Sequence, residues 1–453
     1  MEKTIRTRCL ENHKGEKILY LPDCKRIFKV NESGSKFIED LADGNSAESM
    51  KEKYSLTEEK YNNIINTLHI EKEEESCSCA PENEKILGRL VIHVTNVCNL
   101  NCSYCYANGG NYLSACGLMS EDMLEEVIRV FYAQYDRINT IQFFGGEPLL
   151  NIPVIEKACG MIREIDKERG YTTQFGLVTN GTLIDQDFID LVKKYHIGVT
   201  ISYDGNIFVN DILRADKEGK GVSELVLKNA QNLKSQTNEP NTVEVTYTQV
   251  HIENEVKILD VVKHIQEILP NTYVHLVPAG GKEEDEFTVK NLDIFADSID
   301  EIFREADKSS DGRVPSYSLA DRIFYALKNK EAKGSRYICD AGVGTISVSV
   351  GGDVYPCFMF TDQEELKLGN IMDPKLFDSA IFREQLKRIR DFSFKGKNAE
   401  CEKCYINTLC NGCLGLNSYH SGDPLVLSNE ICEMFRNMTD RAIINFADRV
   451  GEA

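Results

Sequence analysis

The stretch His93-Val-Thr-Asn-Val-Cys98-Asn-Leu-Asn-Cys102-Ser-Tyr-Cys105-Tyr106 sets three cysteines at Cys-x3-Cys-x2-Cys spacing, just after the apolar, strand-like run Arg89 to Val94. Three thiolates on one short loop can hold a cubane iron–sulfur cluster, yet they ligate only three of its four irons. The fourth iron is open to an exogenous ligand, which makes the loop a reaction centre. Zinc is the competing reading, with His93 near by as a fourth donor, but zinc sites usually pair their ligands.

The rest of the chain agrees with metal chemistry. Sixteen cysteines are many for a chain whose N-terminus, MEKTIRTRCL, has no apolar signal-peptide core. No apolar run reaches membrane-spanning length, so a cytoplasmic protein with no membrane partner is expected. Disulfides are rarely stable in that compartment, which leaves metal or redox work for the thiols. The formal net charge of −20 argues against nucleic acid as a partner.

Residues 1–72 read as a small independent unit. Lys17 to Leu21 and Arg26 to Val30 alternate around Pro22-Asp23 as a β-hairpin, and Asn31 caps a helix that Gly44 ends. Two more helices are expected over Ser46–Tyr54 and Thr57–Leu68. Residues 73–88 read as a linker carrying Cys77 and Cys79. Over 89–280 apolar strands alternate with amphipathic helices: Leu90–Thr95, Thr140–Phe144, Gln174–Val178, Ile197–Ser202, Thr242–Val250 and Tyr273–Val277. This is an α/β pattern with functional residues expected at the C-terminal strand ends. Residues 281–335 read as an acidic helical bridge broken near Pro315, followed by a cysteine-rich unit over 336–440 and the end of a helix over 441–453.

Gln142-Phe-Phe-Gly-Gly-Glu147-Pro148 lies one βα unit after the triad, and Val178-Thr-Asn-Gly181 and Val199-Thr-Ile-Ser-Tyr-Asp-Gly205 close later strands. With these, the chain resembles the radical S-adenosylmethionine (SAM) enzymes. The resemblance implies a partial (β/α)6 TIM barrel, a [4Fe–4S] cluster on Cys98, Cys102 and Cys105, and SAM contacts from Tyr104, Gly145, Gly146, Glu147, Asn180, Ser202, Asp204 and Arg214. Glu147 would meet the SAM ammonium, Arg214 its carboxylate and Tyr104 its adenine; turn chemistry is the plainer account of the Asn-Gly and Asp-Gly pairs. No catalytic base is visible beyond the cluster ligands.

The later cysteines run Cys339, then Gly351-Gly-Asp-Val-Tyr-Pro-Cys357, then Cys401-x2-Cys404-x5-Cys410-x2-Cys413, then Cys432. A zinc ribbon would use four and leave three idle. Seven in this order resemble the SPASM domain, which carries two auxiliary [4Fe–4S] clusters. That resemblance implies a full set, Cys401, Cys404, Cys410 and Cys432, and an open one, Cys339, Cys357 and Cys413. Cys116 or a linker thiol is available to close the open set, as is a substrate thiolate. The N-terminal unit resembles the RiPP recognition element, a PqqD-like winged helix; a DNA-binding or purely structural winged helix is the alternative.

Together these features resemble the maturases of sactipeptides and ranthipeptides, with the SCIFF-peptide group nearest. The implied activity is thioether crosslinking of a cysteine-rich precursor peptide. Its leader would sit near Arg26–Val30, its core cysteine on the open auxiliary iron, and an external donor such as flavodoxin or ferredoxin would supply electrons. A C–C or C–O crosslinking peptide maturase, a formylglycine-forming sulfatase maturase, and a non-catalytic iron–sulfur redox or peptide-binding protein are the rival readings.

Overall fold

The computed structural model describes residues 6–68, 83–112, 114–282, 284–310, 314–329 and 334–449. Cys77, Cys79 and most of the expected linker lie outside them, as do the last residues of the chain. Three short strands, β1 (Arg8–Glu11), β2 (Lys17–Leu21) and β3 (Arg26–Val30), form an antiparallel sheet in that order. Asn31 then starts the helix Glu32–Ala42, its side chain accepting from the Gly34 amide at 2.8 Å. Helices Ala47–Lys53 and Glu58–Thr67 complete the unit.

A second, mixed sheet carries the rest. Its strands are β4 (Ile86–Thr95), β5 (Arg137–Gly145), β6 (Gln174–Thr179), β7 (Ile197–Ser202), β8 (Thr242–Tyr247), β9 (Tyr273–Pro278), β10 (Thr345–Val348), β11 (Asp353–Tyr355) and β12 (Gly369–Asn370). The order is β12-β11-β10-β4-β5-β6-β7-β8-β9; β4 to β9 are parallel neighbours joined by helices, and β10 adds in parallel to the outer side of β4. The two-residue period of a strand divides its faces. Ile141, Phe143, Leu177, Val199, Ile201, Val243 and Val245 are buried beneath the helices. Gln142, Thr200, Glu244 and His275 point the other way and are half-buried. Arg89 on β4 and His275 on β9 lie far apart in the strand order yet are electrostatic neighbours.

Three expectations change. The strand expected to reach Val250 stops at Tyr247, because the Thr248 amide and hydroxyl meet His251 Nδ1 at 3.1 and 3.0 Å and start the helix Gln249–Glu253. Residues 281–335 do not merely bridge. Ser318 Oγ accepts from the Leu276 amide of β9 at 3.2 Å, and Phe303 in the helix Asp293–Lys308 meets Phe446 edge-on at 5.1 Å. Finally, the N-terminal unit does not stand apart. β2 buries Leu19 and Leu21 with its own helices, but Ile18 and Tyr20 join the main core. Arg8 donates to Asp440 in the last helix, Asn429–Arg449, and lies 4.9 Å from the Tyr405 ring. No helix among the described residues is long and apolar enough to cross a membrane.

Candidate active site

The triad loop leaves the C-terminal end of β4 and is zipped to the end of β5. The Gly146 amide donates to the Thr95 carbonyl at 3.0 Å and the Glu147 amide to the Val97 carbonyl at 2.9 Å. Gly145 has φ +133°, and a Cβ there would run into the Thr95 carbonyl; a Cβ on Gly146 would run into that of Val97. These two glycines are required by the triad loop itself, before any ligand is considered. Glu147 follows directly on these glycines. Its carboxylate is fully buried and accepts from the Leu149 amide, the Thr179 hydroxyl and the Asn180 amide at 2.7–3.1 Å. Burial pushes it up to about 7 despite those bonds. It ties β5 to β6 rather than reaching into open space. Asn180 reaches the triad directly: Nδ2 lies 3.8 Å from Cys98 Sγ and 2.9 Å from Asn99 Oδ1.

Beyond β7, Asp204 is wholly buried and gathers Arg214 Nε at 2.7 Å, Arg214 Nη2 at 3.2 Å, the Tyr104 hydroxyl at 2.5 Å and the Thr246 amide at 2.9 Å. The Arg214 guanidinium also sits 5.4 Å from the Tyr104 ring centre. Three expected SAM contacts therefore hold one another. Ser202 ends β7 beside them, half-buried and in register with Glu244. His93 is not a fourth thiolate partner: its ring is buried edge-on to Tyr112 and Phe144, with Nε2 3.2 Å from Thr361 Oγ1.

The later cysteines fall into two groups. Cys401 interacts electrostatically with Cys410, Cys432 and Cys404, and burial drives it up to about 12. Cys413 and Cys339 form a coupled pair in which Cys339 is lowered and Cys413 raised, and Cys357 interacts with both. Burial takes Cys102 of the first triad up to about 12 as well, with Cys105 and Cys98 among its neighbours. Crowded, desolvated thiols of this kind ionise once a cationic metal core is present, so all three sets fit iron–sulfur clusters. Among the described residues no three His, Cys, Asp or Glu side chains converge as a single bound ion requires. Cubane ligands do not need to, since each binds a different iron. Of the other cysteines, Cys9 and Cys24 pack on the N-terminal core and Cys159 is buried in the main one. Cys116 shares a cavity of about 300 Å³ with Cys98, on the first triad's side.

Aromatic rings pack near both cysteine groups. Tyr419 has Cys413, Cys105 and Cys357 as its electrostatic neighbours, so it lies near members of both cysteine groups. Its ring is 6.3 Å from Tyr106, which is 6.0 Å from Tyr112. Phe358, next to Cys357, lies 4.6 Å from Phe144 on β5. Tyr106 could have been picked from its place after Cys105; nothing local marks Tyr419.

Residues 92–265 match the family model described as the Radical SAM superfamily, and 339–405 match SPASM, an iron–sulfur cluster-binding domain. The chain thus carries a radical SAM domain and a SPASM domain, whose cofactors are SAM, a [4Fe–4S] cluster and additional SPASM-bound clusters. An uncharacterised protein of Methanocaldococcus jannaschii is 38% identical over 149 residues, covering 33% of this chain and about half, 49%, of that protein. The cysteine-type anaerobic sulfatase-maturating enzyme of Clostridium novyi is 24% identical over 79% of this chain and 96% of its own. The radical SAM cyclopropyl synthase TigE of Paramaledivibacter caminithermalis is 23% identical over 77% and 72%. Among solved structures, anSMEcpe with bound AdoMet superposes at TM-score 0.65, 23% identity, over 80% of this chain and 99% of its own. Streptococcus suis SuiB bound to precursor peptide SuiA does so at 0.55, 15% identity, over 95% and 98%.

Proposed function

We propose that this chain is a peptide maturase that forms intramolecular sulfur-to-carbon thioether crosslinks in a cysteine-rich precursor peptide. The carrying observation is that Tyr419 has Cys105 of the first triad and both Cys357 and Cys413 of the second group as neighbours. When bound, SAM and the clusters supply the one-electron chemistry that removes a hydrogen from a substrate carbon. A core cysteine seated on the open auxiliary set is then next to that carbon. Around it the chain's own residues orient and exclude water. Asp204 fixes Arg214 and Tyr104 below the triad, Asn180 holds Cys98, and the polar face with Glu244 and His275 receives the peptide.

Two further features support a peptide substrate. The likeness to anSMEcpe covers 80% of this chain, whereas the likeness to SuiB with its precursor peptide covers 95%. β3 is an edge strand of the N-terminal sheet, so a leader can add beside Arg26–Val30 as a fourth strand. We read that unit as a winged-helix-like recognition element and the second sheet as a partial barrel. A reducing cytoplasm with a flavodoxin- or ferredoxin-type donor suits the sixteen cysteines.

The sulfatase-maturating relatives support a second reading, oxidation of a cysteine side chain to an aldehyde. Anaerobic turnover with a cysteine-rich peptide encoded beside the gene, read by tandem mass spectrometry, separates the two. Thioether formation removes two hydrogens and one titratable thiol and keeps the sulfur. Loss of sulfur, or a crosslink without cysteine, overturns the proposal.

A further inference from the structure

Lys395 is a buried lysine that none of the chemistry above uses. It follows the helix Ala380–Ser393 and is only 2% exposed. Its Nζ donates to the carbonyls of Ser335 at 2.9 Å, Asn407 at 2.7 Å and Cys410 at 2.7 Å. A neutral amine has two N–H bonds to give; three carbonyl acceptors call for an ammonium. Its electrostatic neighbours are Cys410, Cys401 and Cys404, three of the four thiols in the complete set. Arg436 is near Cys410 and Cys432 as well, but it is only half-buried.

We propose that Lys395 is a fixed positive charge that raises the reduction potential of the cluster held by Cys401, Cys404, Cys410 and Cys432. Reduction adds one electron and makes or breaks no bond, so the reduced cluster differs by one extra negative charge. A desolvated cation beside the ligands stabilises that charge, where water would screen it. Lys395 also positions the ligand loop, since its bonds to residues 407 and 410 brace the turn between Cys404 and Cys410. The inference rests on reading these four cysteines as one ligand set and is independent of the peptide product.

The test uses the full-length reconstituted protein carrying Cys98→Ala, Cys102→Ala and Cys105→Ala, so that only the auxiliary clusters contribute. Redox titration followed by electron paramagnetic resonance should show Lys395→Gln moving one auxiliary midpoint downward and leaving the other in place. The reduced-to-oxidised ratio at fixed potential should fall about tenfold, which is 59 mV for one electron. Lys395→Arg should keep the parent midpoint. If Lys395→Gln binds less iron, Lys395→Met, of similar length and without charge, gives the same reading. An unmoved midpoint at full iron content, or equal movement of both midpoints, overturns the role of Lys395. Absence of a second auxiliary signal in the parent overturns the ligand set instead.

Discussion

At the scale of single residues, Asp204 matters most outside the cysteines. Its carboxylate is the counter-ion of a guanidinium that is itself nearly buried. Asp204→Ala strands Arg214 without a partner, which costs about 3–5 kcal/mol. Asp204→Asn keeps an acceptor and should cost less. Urea midpoints under anaerobic conditions check both, and a shift below about 1 kcal/mol for the alanine variant would show that Arg214 has another anchor. His93 makes a pH prediction. Burial lowers it from 6.5 to about 3, so the unfolded chain takes up this proton first as pH falls. Its contribution is fully present above pH 6.5 and is lost toward pH 3, at up to about 1.4 kcal/mol per unit. His93→Phe keeps the edge-on contacts with Tyr112 and Phe144 and should flatten the decline in urea midpoint between pH 6.5 and 5.

At the scale of elements, the junction of β4 and β5 decides whether the first cluster forms. Gly146→Ala sets a methyl against the Val97 carbonyl. The triad loop must then move, and the first cluster's resonance should vanish while the auxiliary signals persist; retention of all signals would refute the zipped junction. Much of this level was legible. The strands from β4 to β9 show strong alternation or apolar runs, and the cysteine spacings pick out all ten proposed ligands. What escaped has a common cause. β1 is four residues with one leucine, and β10 is a four-residue run whose pairing with β4 spans some 250 positions. The contacts of Tyr419 and Lys395 likewise depend on partners brought in from distant segments, and no local period encodes them. The three donors to Glu147 come from residues 149, 179 and 180, and a carboxylate after two glycines does not announce them.

At the scale of the whole molecule, β2 couples the two ends of the chain. Ile18 and Leu19 are neighbours in sequence and are both fully buried, but in different cores. Each change to alanine should cost about 2–5 kcal/mol. The consequences should differ in place. Leu19→Ala should raise amide hydrogen exchange in the helices of residues 32–67 alone, whereas Ile18→Ala should also raise it in the helix Asn429–Arg449. Identical exchange maps for the two variants would contradict the two-core assignment.

The contact between Arg8 and Asp440 joins residues 432 positions apart. At 5–20 residues per second, a ribosome needs roughly 20–90 s to make the intervening chain. During that time Ile18 and Tyr20 have no final partner, so the N-terminal sheet emerges early and is completed last. A chain halted before residue 429 therefore lacks the surface against which that sheet rests. In the living cell, β3 reaches its final surroundings only once the helix Asn429–Arg449 has been made.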